Sequence, residues 1–246
     1  MKQWLLNQKR TQNWESVPAT LNAIYALLLT GSDWLNDNNT CTVDWGGKTY
    51  STAEGETATG YLKVVLDEKE ISSERNSISI RKEGNAPAWG AVYEQYFENI
   101  NKVDKQKGVL NVEKKLFIES NSGTGLQIQP VTDGKLRIGD KVVVRLTIRT
   151  DREMDYVFLK DLRAGCFEPA DQISGTKFRD GVMYYQSPTD VSENFFFNRL
   201  PAGTFVIEYP VYVTRTGEYA GGISTIQCLY TPEFVSHTES EKLTVN

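Results

Sequence analysis

The sequence predicts a mainly β fold: a C-terminal β-sandwich, preceded by a smaller β-rich unit and a short N-terminal helical segment. Three observations carry this. Helical periodicity is confined to the first 35 residues. From residue 40 onward, short alternating runs are separated by Gly, Asn and Asp, with turn signals spaced about 8 to 12 residues apart, the spacing of a sandwich. The clearest alternation is Lys141 to Thr150 (KVVVRLTIRT), where Val142, Val144, Leu146 and Ile148 form one face. Those four should point into a core, leaving Arg145, Thr147 and Arg149 facing out, because side chains alternate along a strand.

In chain order, Gln3 to Lys9 reads as a short helix. A second helix starts at Ser16, a good N-cap, with Pro18 in its first turn, where a missing N–H costs nothing, and Gly31 as its stop. Leu21, Ile24, Tyr25 and Leu28 make one apolar stripe at i, i+3, i+4 and i+7. Two short helices cannot build a core alone, so this stripe must dock on a β unit or stay exposed. Asn36 to Asn39 is a turn cluster. Thr40 to Trp45, Gly46-Gly47 and Lys48 to Thr52 read as a hairpin, with further strands at Tyr61 to Leu66 and Asn76 to Arg81. Gly84-Asn85-Ala86-Pro87 ends this unit. Ala88 to Ile100 is aromatic-rich, and although Val92, Tyr96 and Asn99 also fit a helical spacing, it reads as extended, since Trp89, Tyr93 and Phe97 favour β structure.

Lys102 to Lys107 is a charged linker. Strands follow at Leu110 to Glu119, Gly125 to Pro130, Lys141 to Thr150, Met154 to Leu162, Val182 to Gln186, Asn194 to Asn198, Gly203 to Val213 and Gly222 to Tyr230. Asp151-Arg152-Glu153 reads as the polar tip of a hairpin.

Composition removes much common chemistry. With 27 Lys plus Arg against 32 Asp plus Glu, there is no basic excess for phosphates, which disfavours a nucleic-acid partner. A single histidine, His237, leaves no multi-histidine metal site and reads as a surface residue. Cys41, Cys166 and Cys228 lie far apart with no CxxC pair, and the last two read as small buried hydrophobes. The longest apolar run, Ala23 to Leu29, is far short of a membrane span, and the first residues turn polar too early for a signal peptide.

No catalytic, cofactor or metal residues are assigned. Asp151, Glu153 and Asp155 alternate like cation ligands but lack the central Gly and closing Glu of a calcium loop. Asp161 and Glu168 could pose as an acid/base pair, yet no sequence rule brings them together. Ser122-Gly123-Thr124-Gly125 and Gly221-Gly222 lack a phosphate loop's Lys and read as turns. The aromatic clusters are more suggestive. Consecutive aromatics in a strand face opposite ways, so one of each group can be exposed, and Trp89, Tyr93, Tyr184, Tyr185 and Phe196 are candidate interface residues.

The stretches QNWESVPATLNAIYALLLTG, VDWGG, AWGAVYEQYFENI, LNVEKKLFIE, GDKVVVRLTIRTDREMDYVFLKDLRAGCFEP and FFFNRLPAGTFVIEYPVYVTRTGEYAGGISTIQCLYTPEFVSHTES follow one another in order. Together they resemble the C-terminal end of bacterial α2-macroglobulin-like proteins over nearly the whole chain. The segments Gly139–Pro169 and Leu200–Glu239 are the specific parts.

The resemblance implies a dissection. Residues 1–35 would be the last helices of an α/α-toroid thioester-type domain, residues 36–104 a CUB-like β-rich region, and residues 105–246 the terminal macroglobulin sandwich, immunoglobulin-like and akin to a receptor-binding domain. It implies a non-enzymatic part of an envelope protease trap, a periplasmic or outer-envelope lipoprotein whose signal lies upstream. Its partners would be the upstream domains of the same parent chain, and proteases through that parent. Family thioesters read Cys-Gly-Glu-Gln or Cys-Leu-Glu-Gln, and none of the three cysteines here is followed by such a motif. The alternative from the residues alone is a carbohydrate- or cell-surface-binding sandwich with an aromatic platform. A hydrolase built on Asp161 and Glu168 is a third reading.

Overall fold

A computed structural model describes residues 2–29, 40–57, 60–70, 77–84, 88–123 and 125–246. Gly31, the Asn36 to Asn39 cluster, Asn76, Thr124 and Asn85 to Pro87 lie outside the described residues. The chain divides into two compact units. One comprises residues 3–14 with 96–246, and the other residues 15–95. The first predicted helix thus falls in the same unit as the terminal sandwich, and the second in the other unit.

In the second unit, α2 spans Val17–Leu29. Ser16 caps it, its hydroxyl accepting the Ala19 N–H at 3.3 Å and its carbonyl the Thr20 N–H at 3.0 Å. The stripe of Leu21, Ile24, Tyr25 and Leu28 is exposed, and only Ala23 is buried. Strands β1 (Cys41–Trp45), β2 (Lys48–Ser51) and β3 (Ile78–Lys82) form an antiparallel sheet in the order β2-β1-β3. Gly46 and Gly47 both have positive φ, which joins β1 to β2 through a tight hairpin turn. Residues 61 to 66 are not a strand. The Tyr61 carbonyl accepts the Glu56 N–H at 2.9 Å, a local closure in place of a ladder. Residues 88–99 likewise join no sheet: β-forming side chains are not enough without a neighbouring strand to pair with.

In the first unit, α1 (Lys2–Thr11) precedes β4 (Asn111–Ser122), β5 (Gly125–Pro130), β6 (Lys135–Leu136), β7 (Lys141–Thr150), β8 (Met154–Leu162) and β9 (Phe167–Pro169). Then come β10 (Gly175–Arg179), β11 (Val182–Pro188), β12 (Ser192–Leu200), β13 (Gly203–Val213), β14 (Gly217–Ala220), β15 (Ser224–Cys228), β16 (Val235–His237) and β17 (Lys242–Val245). A five-stranded sheet, β5-β4-β7-β13-β9, faces a six-stranded sheet, β10-β11-β12-β8-β15-β16. A small sheet, β14-β17-β6, closes one side.

The core lies between the two large sheets. Val142, Val144, Leu146 and Ile148 from β7 meet Val157 and Leu159 from β8, Phe195 and Phe197 from β12, and Ile226 from β15. Arg149 is exposed and Arg145 and Thr147 half-buried, so the alternation along β7 is as the pattern predicts. Cys166 and Cys228 are both fully buried and free. Asp151-Arg152-Glu153 is not a hairpin tip. β7 and β8 lie in different sheets, so this segment carries the chain across the sandwich. The linker around 102–107 is also anchored: Gln106 and His237 exchange backbone hydrogen bonds at 3.0 and 3.1 Å.

Candidate interdomain surface

Two buried polar clusters hold the sandwich together. Lys114 of β4 reaches across to Asp161 of β8 at 2.8 Å, with side chains only 9% and 0% exposed. Its ammonium also donates to the carbonyls of Leu162 (3.0 Å) and Gly221 (3.1 Å). Ser224 donates to the same Asp161 oxygen at 2.7 Å, and the Tyr209 hydroxyl donates to the other. Gly222 makes this convergence possible. It has a positive φ, and a Cβ there would collide with the Leu162 carbonyl oxygen. Burial, first of all, and then the Asp161 charge push the Tyr209 hydroxyl well above its ordinary range.

The second cluster sits within the six-stranded sheet. Arg163 binds Glu193 at 3.0 Å and the carbonyls of Thr189 and Asp190 at 2.7 and 3.1 Å, while Gln186 donates to Glu193 at 2.7 Å. Burial raises the Glu193 carboxyl, outweighing the stabilising Gln186 and Arg163 contacts. These arrangements answer the acid/base question. The two oxygens of Asp161 are taken up by Lys114, Ser224 and Tyr209 inside the core. Glu168 sits on β9, in the opposite sheet, opposite Tyr212. His237 is half-buried on β16 rather than in a loose tail.

The outer face of the six-stranded sheet is different. Tyr184 is buried (5% exposed) and packs on Phe195 and Phe197, so it belongs to the core and not to an interface. Its neighbour Tyr185 is exposed at 45%, as is Phe196 at 41% between buried Phe195 and Phe197. Strand register lines up Thr176, Tyr185, Phe196, Phe158 and Gln227 across five strands. The Phe158 and Phe196 rings stack at 4.8 Å, and Tyr185 lies 6.5 Å from Phe196. Exposed Phe178 and Met183 oppose each other on the adjacent strands. The next row, Asn194, Lys160, Thr225 and His237, is polar, so the outer face is half aromatic and half polar.

Tyr156 ends the aromatic half and packs edge-on to Tyr230 at 5.1 Å. Its φ of 55° is unusual for a bulky residue. There the inward-facing phase of β8 slips, so that Met154 and Val157 both point into the core. Nothing in the local pattern signals this slip. In the other unit, Trp89 and Tyr93 are exposed at 71% and 69% on the segment that joins no sheet.

The α1 helix meets the same end of the sandwich. Arg10 pairs with Glu233 at 2.6 Å, and its guanidinium lies 5.4 Å from the centre of the Phe234 ring. The Thr231 hydroxyl donates to the Arg10 carbonyl, and the Asn13 N–H donates to Asp155 at 2.8 Å. Among the described residues no group of His, Cys, Asp and Glu could hold a metal, and no helix is long and apolar enough to cross a membrane.

Comparison with known proteins supplies the family. The bacterial α2-macroglobulin MG10 domain matches residues 110–233, half of the chain. The fold resembles Escherichia coli α2-macroglobulin activated by porcine elastase (TM-score 0.52, 15% identity, covering 98% of this chain and 21% of that one). It also resembles the trypsin-activated Escherichia coli protein (TM-score 0.51, 14% identity, covering 98% and 16%). A stretch of 114 residues is 28% identical to circularly permutated Ras protein 2 of Dictyostelium discoideum, covering 46% of this chain and 3% of that protein. The chain therefore spans a fifth or less of the length of most of these relatives. A match over half its length places this chain in the bacterial α2-macroglobulin family, with the MG10 domain as its C-terminal sandwich.

Proposed function

We propose that this chain is the non-catalytic C-terminal region of an envelope-associated protease trap, and that its sandwich packs against preceding domains of the same polypeptide. In this reading residues 1–35 continue a helical thioester-type domain, residues 36–104 are CUB-like, and residues 105–246 are the terminal macroglobulin domain. Export as a periplasmic lipoprotein would be directed from upstream, and proteases would be met through the parent molecule.

The observation that carries the reading is the aromatic row on the outer face of the six-stranded sheet. Contiguous exposed apolar surface on a sandwich whose own core is already closed marks a surface that another domain covers. Phe158, Phe196, Phe178 and Met183 suit burial against protein, and the polar row beside them, Asn194, Lys160, Thr225 and His237, would form the hydrogen-bonding rim of such a contact. Tyr185 and Phe196 would be the centre of the contact.

The test uses the parent polypeptide challenged with trypsin or elastase. Trapping predicts that protease is retained on a native gel and still cleaves a small peptide substrate while losing activity toward a large protein. Tyr185→Asp with Phe196→Asp should lower retention at least several-fold and leave the sandwich's melting temperature nearly unchanged. A parent that retains no protease overturns the trap. Unchanged retention in the variant overturns the docking role of the row, and glycan binding that the variant abolishes would favour the surface-binding alternative.

A further inference from the structure

The C-terminal end of α1 is held on the sandwich by a group of polar and cation–ring contacts. They are the Arg10–Glu233 ion pair, Arg10 over the Phe234 ring, the Thr231 hydroxyl on the Arg10 carbonyl, and the Asn13 N–H on Asp155. Arg152 also lies 5.6 Å from the Phe234 ring centre, so two guanidiniums flank one ring. Glu233 supplies the opposite charge that lets Arg10 sit there. Among the described side chains of this helix only Thr11 is buried, and Trp4 stands exposed. The polar part of the seat is therefore local and at the helix end, while Leu5 and Leu6 farther back along α1 are half-buried.

The ion pair's side chains are 51% and 45% exposed, so salt screens them. The helix has ten residues, fewer than the roughly 12 to 15 that an isolated helix needs even with a favourable sequence. Helix and seat must then stand or fall together, because α1 gains its order from docking. The rest of the sandwich needs nothing from it: its core cluster contains no residue of α1.

We propose that α1 is a releasable clasp on the Phe234 corner. It is helical while Arg10 is seated between Glu233 and the ring, and it melts and detaches when the seat is lost, with the sandwich remaining folded. The corner's partner is the C-terminal turn of this chain's own α1, recognised through an arginine at its end. Movement of whatever lies before residue 15 is thereby coupled to one spot on the terminal domain. The clasp does not rest on the trapping reading, since it needs only the 246-residue chain.

The experiment is amide hydrogen exchange on that chain, comparing residues 6–11 with β7 and β8. Glu233→Arg and Arg10→Glu should each speed exchange in α1 by about tenfold or more while β7 and β8 stay protected, as expected for a separately opening unit. The double reversal, Arg10→Glu with Glu233→Arg, should restore slow exchange to within about threefold of the starting rate by re-forming the pair. Raising salt from about 0.01 M to about 1 M, which cuts the screening length from about 30 Å to about 3 Å, should loosen α1 in the unaltered chain. Unchanged α1 exchange in both single variants overturns the clasp. So does loosening of β7 and β8 in step with α1, which would make the helix part of the sandwich's cooperative core.

Discussion

The sandwich and the unit of residues 15–95 are built from similar kinds of side chains, yet only the sandwich closes a core. Two large sheets bury Leu146, Leu159, Phe195 and Ile226 between them. Among the described residues of 15–95, Ala23 alone is a buried apolar residue, while Tyr61, Val65, Ile80, Trp89 and Tyr93 are exposed. The difference lies in partners, not composition. A sheet of three short strands has one layer, and its apolar side chains are buried only when a second layer covers them. Strand-forming residues at 61–66 and 88–99 find no neighbouring strand and form no ladder. Apolar content is a necessary condition for a core and not a sufficient one.

The comparison breaks most sharply at the Lys114–Asp161 cluster. Asp161→Ala leaves a buried ammonium without its counter-charge and two hydroxyls without an acceptor. It should destabilise the sandwich by about 3 to 5 kcal/mol in urea unfolding. Replacing the pair together, Lys114→Met with Asp161→Leu, should recover most of that loss. If the single variant unfolds at the starting urea concentration, the two sheets are not pinned there.

Next in size, Leu146→Ala should cost about 2 to 5 kcal/mol as a cavity in a packed interior, whereas Thr147→Ala one position along should stay within about 0.5 kcal/mol. Equal costs at the two positions would refute the β7 register. Glu208 offers a smaller, pH-dependent effect. Burial alone would raise its carboxyl, but hydrogen bonds from Arg145 (2.6 Å) and Arg179 (3.1 Å), with their charges, outweigh that and hold it below the usual range. A carboxyl lowered on folding stabilises the native state above its unfolded value of 4.5 and loses that contribution as pH falls through the lower folded value. Thermal melts of Glu208→Gln should therefore differ from the unaltered chain at pH 7 and converge with it in acid. The difference should be about 1 kcal/mol or less, given the partial exposure. The smallest effect belongs to the open unit: Ile80→Ala, on an exposed site of β3, should shift stability by no more than about 0.5 kcal/mol. A core-sized loss there would show that the chain covers this sheet after all.

Much of the candidate surface could be read from alternation. In Tyr184-Tyr185 and Phe195-Phe196-Phe197, a period of two requires that neighbours face opposite ways, so some members had to be exposed. Which member faces out depends on which face meets the other sheet, and that depends on pairing: Tyr184 went inside and Tyr185 outside. The slip of phase at Tyr156 left no mark in the sequence: it rests on a positive φ at one residue that the register with β12 skips.

What the sequence determined by itself was local. The 3.6-residue stripe and Ser16 cap specify α2, Gly46-Gly47 specify a hairpin turn, and the alternation from Val142 to Ile148 specifies a half-buried strand. These follow from backbone geometry within a few residues. Tertiary structure decided everything that joins distant residues. It grouped α1 with the terminal sandwich, where Arg10 pairs with Glu233 some 220 residues away, and sent Asp151 to Glu153 across the sandwich instead of around a hairpin. It also turned Asp161 from a possible acid into a pinned counter-ion. Contacts of that range are set by which surfaces can be buried and which charges must be paired, and neither quantity is a property of any short stretch of chain.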